Sequence, residues 1–359
     1  MRYQNVYLEA VACSLPDEIV SSDWIERELA PLYRRLRLPE GRLELMTGIR
    51  ERRVWPPGTM PGKVSIATAN KAIRMAGIDR ALIGGLVHGS VCRDYLEPAT
   101  AAGVHHGLGL GPHCMLYDVS NACLGLMNGV IQLANMIELG QIRAGLVVGT
   151  ENSRPLMETT LRRLQEDTTL SRQDIKLVVA SLTIGSGSAA FLLTDRGLSR
   201  AGNRLLGGIA HNNTDFCHLC RSGQKDEAGS SMEPLMWTDS ETLMHEGIAV
   251  AKAAFARFLE EVGWKAGEID KTFCHQVGRM HRKLTFETLG LDPAIDYPTV
   301  EWLGNTGSVA LPMSAALGME KGHLEKGDRV ALLGIGSGIN VLMLGVDWQG
   351  NSRPAGKGR

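Results

Sequence analysis

Five short apolar runs alternate with stretches of helical periodicity, and this alternation restricts the chain to an α/β fold. The runs are Ile83–Gly89, Ala144–Gly149, Ser188–Leu193, Lys271–His275 and Arg329–Gly334. Most are continuously apolar rather than alternating with polar residues, the pattern of strands covered on both faces. Helical spacing is clearest over Ala122–Leu139 and Leu243–Val262. A repeat is visible beneath this alternation. Gly77-Ile78-Asp79 precedes the run at Ile83, and Gly263-Trp264 with Glu268-Ile269-Asp270 precedes the run at Lys271. The separation from Ile83 to Ile269 equals that from Ile142 to Asp328. Generic α/β segments can coincide in this way. A duplicated βαβ half gives the same signal, with a boundary near residues 195–210. The expected organisation is an N-terminal half over 1–200 and a C-terminal half over 201–348. Residues 349–359, rich in Gly, Pro, Lys and Arg, read as a disordered tail. The polar, poorly periodic segments 152–176 and 211–234 read as loops or lid helices.

Composition narrows the class. Hydrophobic content of 44% with only 5% aromatic residues and 42 glycines suits close helix–sheet packing built on small aliphatic side chains. A formal net charge of -1 leaves no electrostatic footprint for nucleic acid or acidic lipid. The N-terminus lacks a basic region followed by a cleavable apolar stretch, and no uninterrupted apolar segment is long enough to span a bilayer. The seven cysteines are odd in number and scattered, which fits a reduced, cytoplasmic setting better than a disulfide framework.

Three residues stand where chemistry is possible. Cys123 follows a strand-like stretch, Met115–Val119, at the start of the Leu126, Val130, Leu133, Ile137 helical pattern. A helix N-terminus favours thiolate and so makes a nucleophile; a small buried hydrophobe is the other reading of such a cysteine. His275 ends the run Lys271–His275, and active-site groups in open α/β sheets gather beyond the carboxyl ends of strands. Asn305, before the Ala310–Leu317 helix pattern, reads on its own as a cap or turn residue.

Taken together, Asn121–Gly125 (NACLG), His275–Arg279 (HQVGR), Gly304–Ser308 (GNTGS) and Gly334–Gly338 (GIGSG) resemble the ketoacyl-ACP synthase III branch of the thiolase superfamily. The resemblance reaches from the first strand to Val346 and includes Thr47–Arg52 (TGIRER). It implies the thiolase fold, two duplicated halves in a five-layered α-β-α-β-α sandwich, normally as a homodimer. It also implies that Cys123, His275 and Asn305 are catalytic, with no cofactor and no metal. Cys123 would carry the acyl group, and the N–H groups of Cys123 and Ser337 would form the oxyanion hole. His275 and Asn305 would donate hydrogen bonds to the thioester oxygen of the second substrate.

The segment Ser90–Thr100 is closer to the OleA-type enzymes of bacterial olefin biosynthesis, as are Asp118–Leu124, Leu219–Arg221 and Leu332–Asn340. That likeness implies a non-decarboxylative Claisen condensation of two acyl-CoAs. Glu97 would be the base, reaching across the dimer interface; without the likeness, Glu97 reads as a solvated charge. Gly278 stands where ordinary type III synthases carry Asn, whereas Trp302-Leu303 and Thr306 are closer to the decarboxylative synthases. Decarboxylative use of malonyl-ACP is therefore the alternative, and a non-catalytic acyl-binding homologue a third reading. Cys217-His218-Leu219-Cys220 has metal-ligand spacing without a second pair. His105-His106 reads as a surface or interface feature. Gly185–Ser188 lacks the Lys-Ser/Thr of a phosphate loop and reads as a close-packed turn entering a strand.

Overall fold

A computed structural model of the chain describes residues 1–223 and 234–350. Nine strands form the main sheet: β1 (Val6–Ser14), β2 (Ile83–Gly89), β3 (Met115–Val119), β4 (Ala144–Glu151), β5 (Gly187–Asp195), β6 (Arg204–Asn212), β7 (Lys271–Cys274), β8 (Arg329–Gly336) and β9 (Asn340–Asp347). Their order is β7-β8-β9-β6-β1-β5-β4-β2-β3. The two halves are joined side by side through β1 and β6, whose registered pairing is the single couple Tyr7 and Arg204. On one side of this seam β3, β2 and β4 run parallel, followed by antiparallel β5 and β1. On the other, β7 and β8 run parallel, followed by antiparallel β9 and β6. The place that β3 takes in the first half shrinks in the second to one parallel bridge between Thr272 and Asp296. Pairing directions thus repeat strand for strand.

The helices complete five layers. They are α1 (Pro61–Ala76), α2 (Thr100–Leu108), α3 (Gly125–Glu138), α4 (Ser240–Val262), α5 (Arg279–Leu289) and α6 (Ala310–Glu320). A central core joins Leu126, Val130 and Leu133 of α3 and Leu311, Met313 and Ala316 of α6 to inward residues of both halves of the sheet, among them Val147, Phe191, Phe273 and Leu332. The opposite faces carry separate cores. Ala69, Ala72 and Ile73 of α1 meet Leu146, Val148 and Ala190. Ala254, Phe255 and Phe258 of α4 meet Ala331, Leu333 and Met343. Consecutive residues such as Leu146, Val147 and Val148 therefore enter different cores, which is why these strands are continuously apolar in sequence. In α6 every residue from Ala310 to Gly318 is buried, as a helix apolar all round must be.

The polar segment 152–176 is largely helical, Arg154–Glu166 and Arg172–Val178, rather than loop. Met157, Leu161 and Leu164 pack with Ile25, Leu29 and Leu32 in a small fourth core. Within 211–234, a 3₁₀ turn (Thr214–Leu219) and a two-stranded pairing of Cys220–Ser222 with Met236–Thr238 are described; 224–233 lie outside the described residues. So does 351–359 of the proposed tail. Gln349 and Gly350, counted in that tail, are held instead: their N–H groups donate to Asn203 Oδ1 at 2.7 and 3.1 Å. No helix among the described residues is long and apolar enough to cross a membrane.

Candidate active site

The parallel strands of each half carry their carboxyl ends to the N-terminus of α3. A Cβ added to Gly89, the last residue of β2, would lie 2.5 Å from Leu126 Cα, so only glycine permits this approach. On the other side, a Cβ at Gly336 would lie 3.5 Å from Cys123 Cβ. Cys123 therefore sits between the two halves.

The turn that presents it is Asn121-Ala122-Cys123. Ala122 takes a left-handed conformation, φ 45°, which a Cβ disfavours by about 1–2 kcal/mol. Side-chain amides hold the turn. Asn121 Nδ2 donates to Asn128 Oδ1 at 2.7 Å, and Asn340 Nδ2 donates to Asn121 Oδ1 at 3.2 Å and to the Ser337 carbonyl at 2.7 Å. Asn340 so ties the Cys123 turn to the Ser337 turn. The helix itself begins at Gly125, two residues beyond Cys123, and the expected thiolate is not the resting state. Burial, with added repulsion from Cys220 and Glu151, pushes the Cys123 thiol up to about 12. The backbone N–H groups of Ser337 and of Cys123 itself point at the sulfur and act in the opposite direction. Desolvation outweighs them.

His275 follows β7 directly, and its N–H donates to the Leu333 carbonyl at 3.0 Å, which keeps it in register with β8. The imidazole is buried, and neither Nδ1 nor Nε2 has a hydrogen-bond partner. Burial, reinforced by neighbouring His281, lowers its pKa to about 3, so the ring is neutral at physiological pH. Gln276 fixes the segment: its Oε1 accepts from Thr299 and Val300 N–H at 2.7 and 3.0 Å, and its Nε2 donates to the Tyr297 carbonyl at 2.9 Å. The residues leading to Asn305 are thus anchored on the His275 strand. Asn305 is buried, and its backbone pairs with Thr183 and Gly185 at 3.0 and 2.9 Å. Its Oδ1 accepts from Gly307 N–H at 3.0 Å, which sets the amide orientation and leaves Nδ2 free to donate.

Glu151, at the end of β4, escaped the sequence reading. Its buried carboxylate accepts from Val91 N–H at 3.0 Å, Cys92 N–H at 3.3 Å, Ser308 N–H at 3.3 Å and the Ser308 hydroxyl. A glutamate closing a strand gives no distinctive signal, because its partners lie in segments remote in sequence.

Cys123, Ser337, His275 and Asn305 gather at one end of the fold; Glu97 does not join them within the single chain. It lies exposed on the loop after β2 and makes no ion pair among the described residues. The same loop exposes Tyr95 at 60% and Leu96 at 86%, beside the unpaired outer edge of β3, where Met115 is 53% exposed. The loop base is firm. Asp94 accepts from Gly62 N–H at 2.8 Å, and Asp118 accepts from Thr100 and Ala101 N–H, both at 2.8 Å.

The remaining sequence features are local. No metal-binding group of three or more His, Cys, Asp or Glu side chains occurs among the described residues. Cys217 is exposed, and Cys220 accepts from the Thr238 hydroxyl at 3.4 Å. The His105 ring contacts the Gly111 carbonyl at 3.1 Å. Gly185–Ser188 is the tight entry to β5, where a Cβ at Gly185 would fall 1.9 Å from the Leu303 carbonyl.

Comparison with known proteins agrees with this arrangement. Residues 53–215 match the model of the thiolase N-terminal domain, and 259–348 match that of the 3-oxoacyl-[acyl-carrier-protein] synthase III C-terminal domain. The chain is 41% identical to the acyl-CoA:acyl-CoA alkyltransferase of Shewanella oneidensis, covering 97% of this chain and 100% of the relative. Against the protein of that name from Xanthomonas campestris it is 36% identical, with the same coverage, 97% and 100%. A crystal structure of a cysteine-to-serine variant of X. campestris OleA with bound lauric acid and lauroyl-CoA superimposes with a TM-score of 0.91 at 35% identity, covering 96% of this chain and 100% of that one. With duplicated halves, paired central helices and a cysteine at their meeting point, the chain belongs to the acyl-CoA:acyl-CoA alkyltransferase, or OleA, family of thiolase-fold condensing enzymes.

Proposed function

We propose that the enzyme joins two fatty acyl-CoA molecules, long-chain ones in particular, head to head without decarboxylation. The observation that carries this is the site itself, a protonated cysteine beside two N–H donors at the same end of the fold as an uncharged histidine with no protein partner on either ring nitrogen. Identity over the whole chain to acyl-CoA:acyl-CoA alkyltransferases supports the choice of substrate. Attack by Cys123 on the first thioester forms the acyl–sulfur bond and expels CoA, while the N–H groups of Cys123 and Ser337 stabilise the oxyanion. The thiol holds its proton at rest, so it must give it up during attack. Neutral His275 can accept that proton and return it to the departing CoA sulfur.

The second acyl-CoA then needs an α-proton removed. His275, neutral again, and Asn305 Nδ2 donate to its thioester oxygen, which stabilises the enolate. The base is the partner subunit's Glu97 in a cytoplasmic homodimer formed through the exposed Tyr95, Leu96 and β3-edge surface. An apolar loop beside an open strand edge is a surface that normally stays covered. The enolate carbon attacks the acyl-Cys123 carbonyl and expels the Cys123 thiolate, which recovers a proton. Hydrolysis of the resulting thioester gives a β-keto acid and the second CoA. No cofactor or metal is required by this sequence of steps.

Intact-mass measurement on variants tests the assignment. Cys123→Ala is expected to take up no acyl group. Glu97→Ala is expected to form acyl-enzyme at the normal rate yet make no β-keto acid. Condensation undiminished in Glu97→Ala would remove Glu97 from the role of base.

A further inference from the structure

Glu151 is a buried carboxylate that joins the loop of Glu97 to the turn of Asn305, close to Cys123. It closes β4 in the N-terminal half. Its Oε1 receives Val91 N–H, Ser308 N–H and the Ser308 hydroxyl, and its Oε2 receives Cys92 N–H. Val91 and Cys92 begin the loop that carries Glu97, and Ser308 ends the Asn305 turn of the C-terminal half. The Ser308 hydroxyl also donates to the Gly89 carbonyl at 3.1 Å, so the turn is held against both β2 and β4. Glu151 further lies close enough to Cys123 to oppose its ionisation. Structural carboxylates of this depth usually pair with a cation. No Lys or Arg pairs with this one among the described residues, and its donors are amides and a hydroxyl drawn from two catalytic loops.

We propose that Glu151 is a positioning residue for the second half-reaction, clamping the base-bearing loop and the Asn305 turn to the end of β4 beside Cys123. The inference rests on the condensation described above. The clamp separates the half-reactions. Acylation uses Cys123 with the N–H groups of Cys123 and Ser337, which Asn340 holds independently of Glu151. Condensation needs Asn305 and Glu97, and this carboxylate ties their two segments together. Glutamine at this position would keep the volume but, with its oxygen on Val91 and Ser308, would turn an NH₂ toward Cys92 N–H and loosen the base-bearing loop there.

Single-turnover kinetics on purified Glu151→Gln resolve the two steps. The expected result is acyl-Cys123 formation within about threefold of wild type and condensation slowed at least about thirtyfold, so that acyl-enzyme accumulates. The alkylation rate of Cys123 supplies a second readout, which a merely structural role would not move. Removing a nearby negative charge is expected to shift its pH midpoint down by about one unit. Ser308→Ala, which deletes one donor and leaves the charge, is expected to slow condensation without moving that midpoint. It keeps the test open should Glu151→Gln fail to fold. Equal losses in acylation and condensation, or an unmoved alkylation midpoint in a folded Glu151→Gln, would overturn the proposal. The absence of any condensation product from the wild-type enzyme would instead overturn the reaction assignment, while the alkylation midpoint would still report on Glu151.

Discussion

At the scale of single residues, desolvation governs the site. The Cys123 thiol is pushed up to about 12 although two N–H groups point at its sulfur, and His275 is held neutral with its pKa lowered to about 3. A protonated thiol resists adventitious oxidation and alkylation, and the attacking form arises only when substrate brings a carbonyl to the oxyanion donors. Alkylation of Cys123 by iodoacetamide should therefore still be rising at pH 10, well past the range of an ordinary thiol; a plateau near pH 8 would contradict this. Asn340→Ala cuts the tie between Ser337 and Asn121, and acylation should fall by about tenfold, or about 1.4 kcal/mol, with the melting temperature little changed. Stopped-flow release of the first CoA measures it. Residue pattern alone leaves Cys123, His275 and Asn305 open, the last reading as a cap, and only the family resemblance singles them out in the sequence. The ionisation of Cys123 was not legible, because helix position suggests a thiolate and only the packing of both halves around it reverses the sign. Glu151 and Asn340 were equally hidden, their partners lying in other elements.

At the scale of elements, strands that contribute to two cores at once were the clearest signal. Val147 and Phe191 enter the central core, while Leu146, Val148 and Ala190 enter an outer one. No alternation survives in such a run, so its length and flanking turns identify it. Flanking turns also carried the duplication, since α1 ends at Gly77 and α4 at Gly263, both left-handed, before β2 and β7 respectively. The helices of 152–176 were less visible, because their few apolar residues enter a small fourth core shared with Val20 and Val54 from distant segments. Close approach of β2 and β4 at their carboxyl ends gives an element-scale prediction. A Cβ at Gly149 would lie 2.2 Å from the Gly89 carbonyl oxygen, a backbone atom that cannot yield cheaply. Gly149→Ala should destabilise the enzyme by about 1–3 kcal/mol in urea unfolding, the range for overpacking. An unchanged midpoint would show that the two strand ends move apart freely.

At the scale of the whole molecule, three histidines of lowered pKa contribute to the response to acid. Burial lowers His275 to about 3, and His88 and His281 to about 4, from the ordinary 6.5. The unfolded chain binds these protons below pH 6.5 and the native one does not, so stability present above 6.5 falls as pH drops toward 4. A melting series from pH 7.5 to 4.5 should show this decline, and a flat profile would contradict it. The expectation of a homodimer comes only from family resemblance. Tyr95, Leu96 and the β3 edge are visible as an uncovered surface once the fold is built, whereas in sequence they are ordinary loop residues. Leu96→Glu should give a monomer in sedimentation and abolish condensation, leaving Cys123 acylation intact. The central claim is that two acyl-CoAs suffice, and stoichiometry tests it most directly. Long-chain acyl-CoA would be supplied as the only substrate, with CoA, carbon dioxide and organic products quantified together. The account predicts two CoA released per β-keto acid with no carbon dioxide evolved during condensation. Acyl-enzyme that stalls until malonyl-ACP is added, then turns over with one carbon dioxide per product, would contradict it.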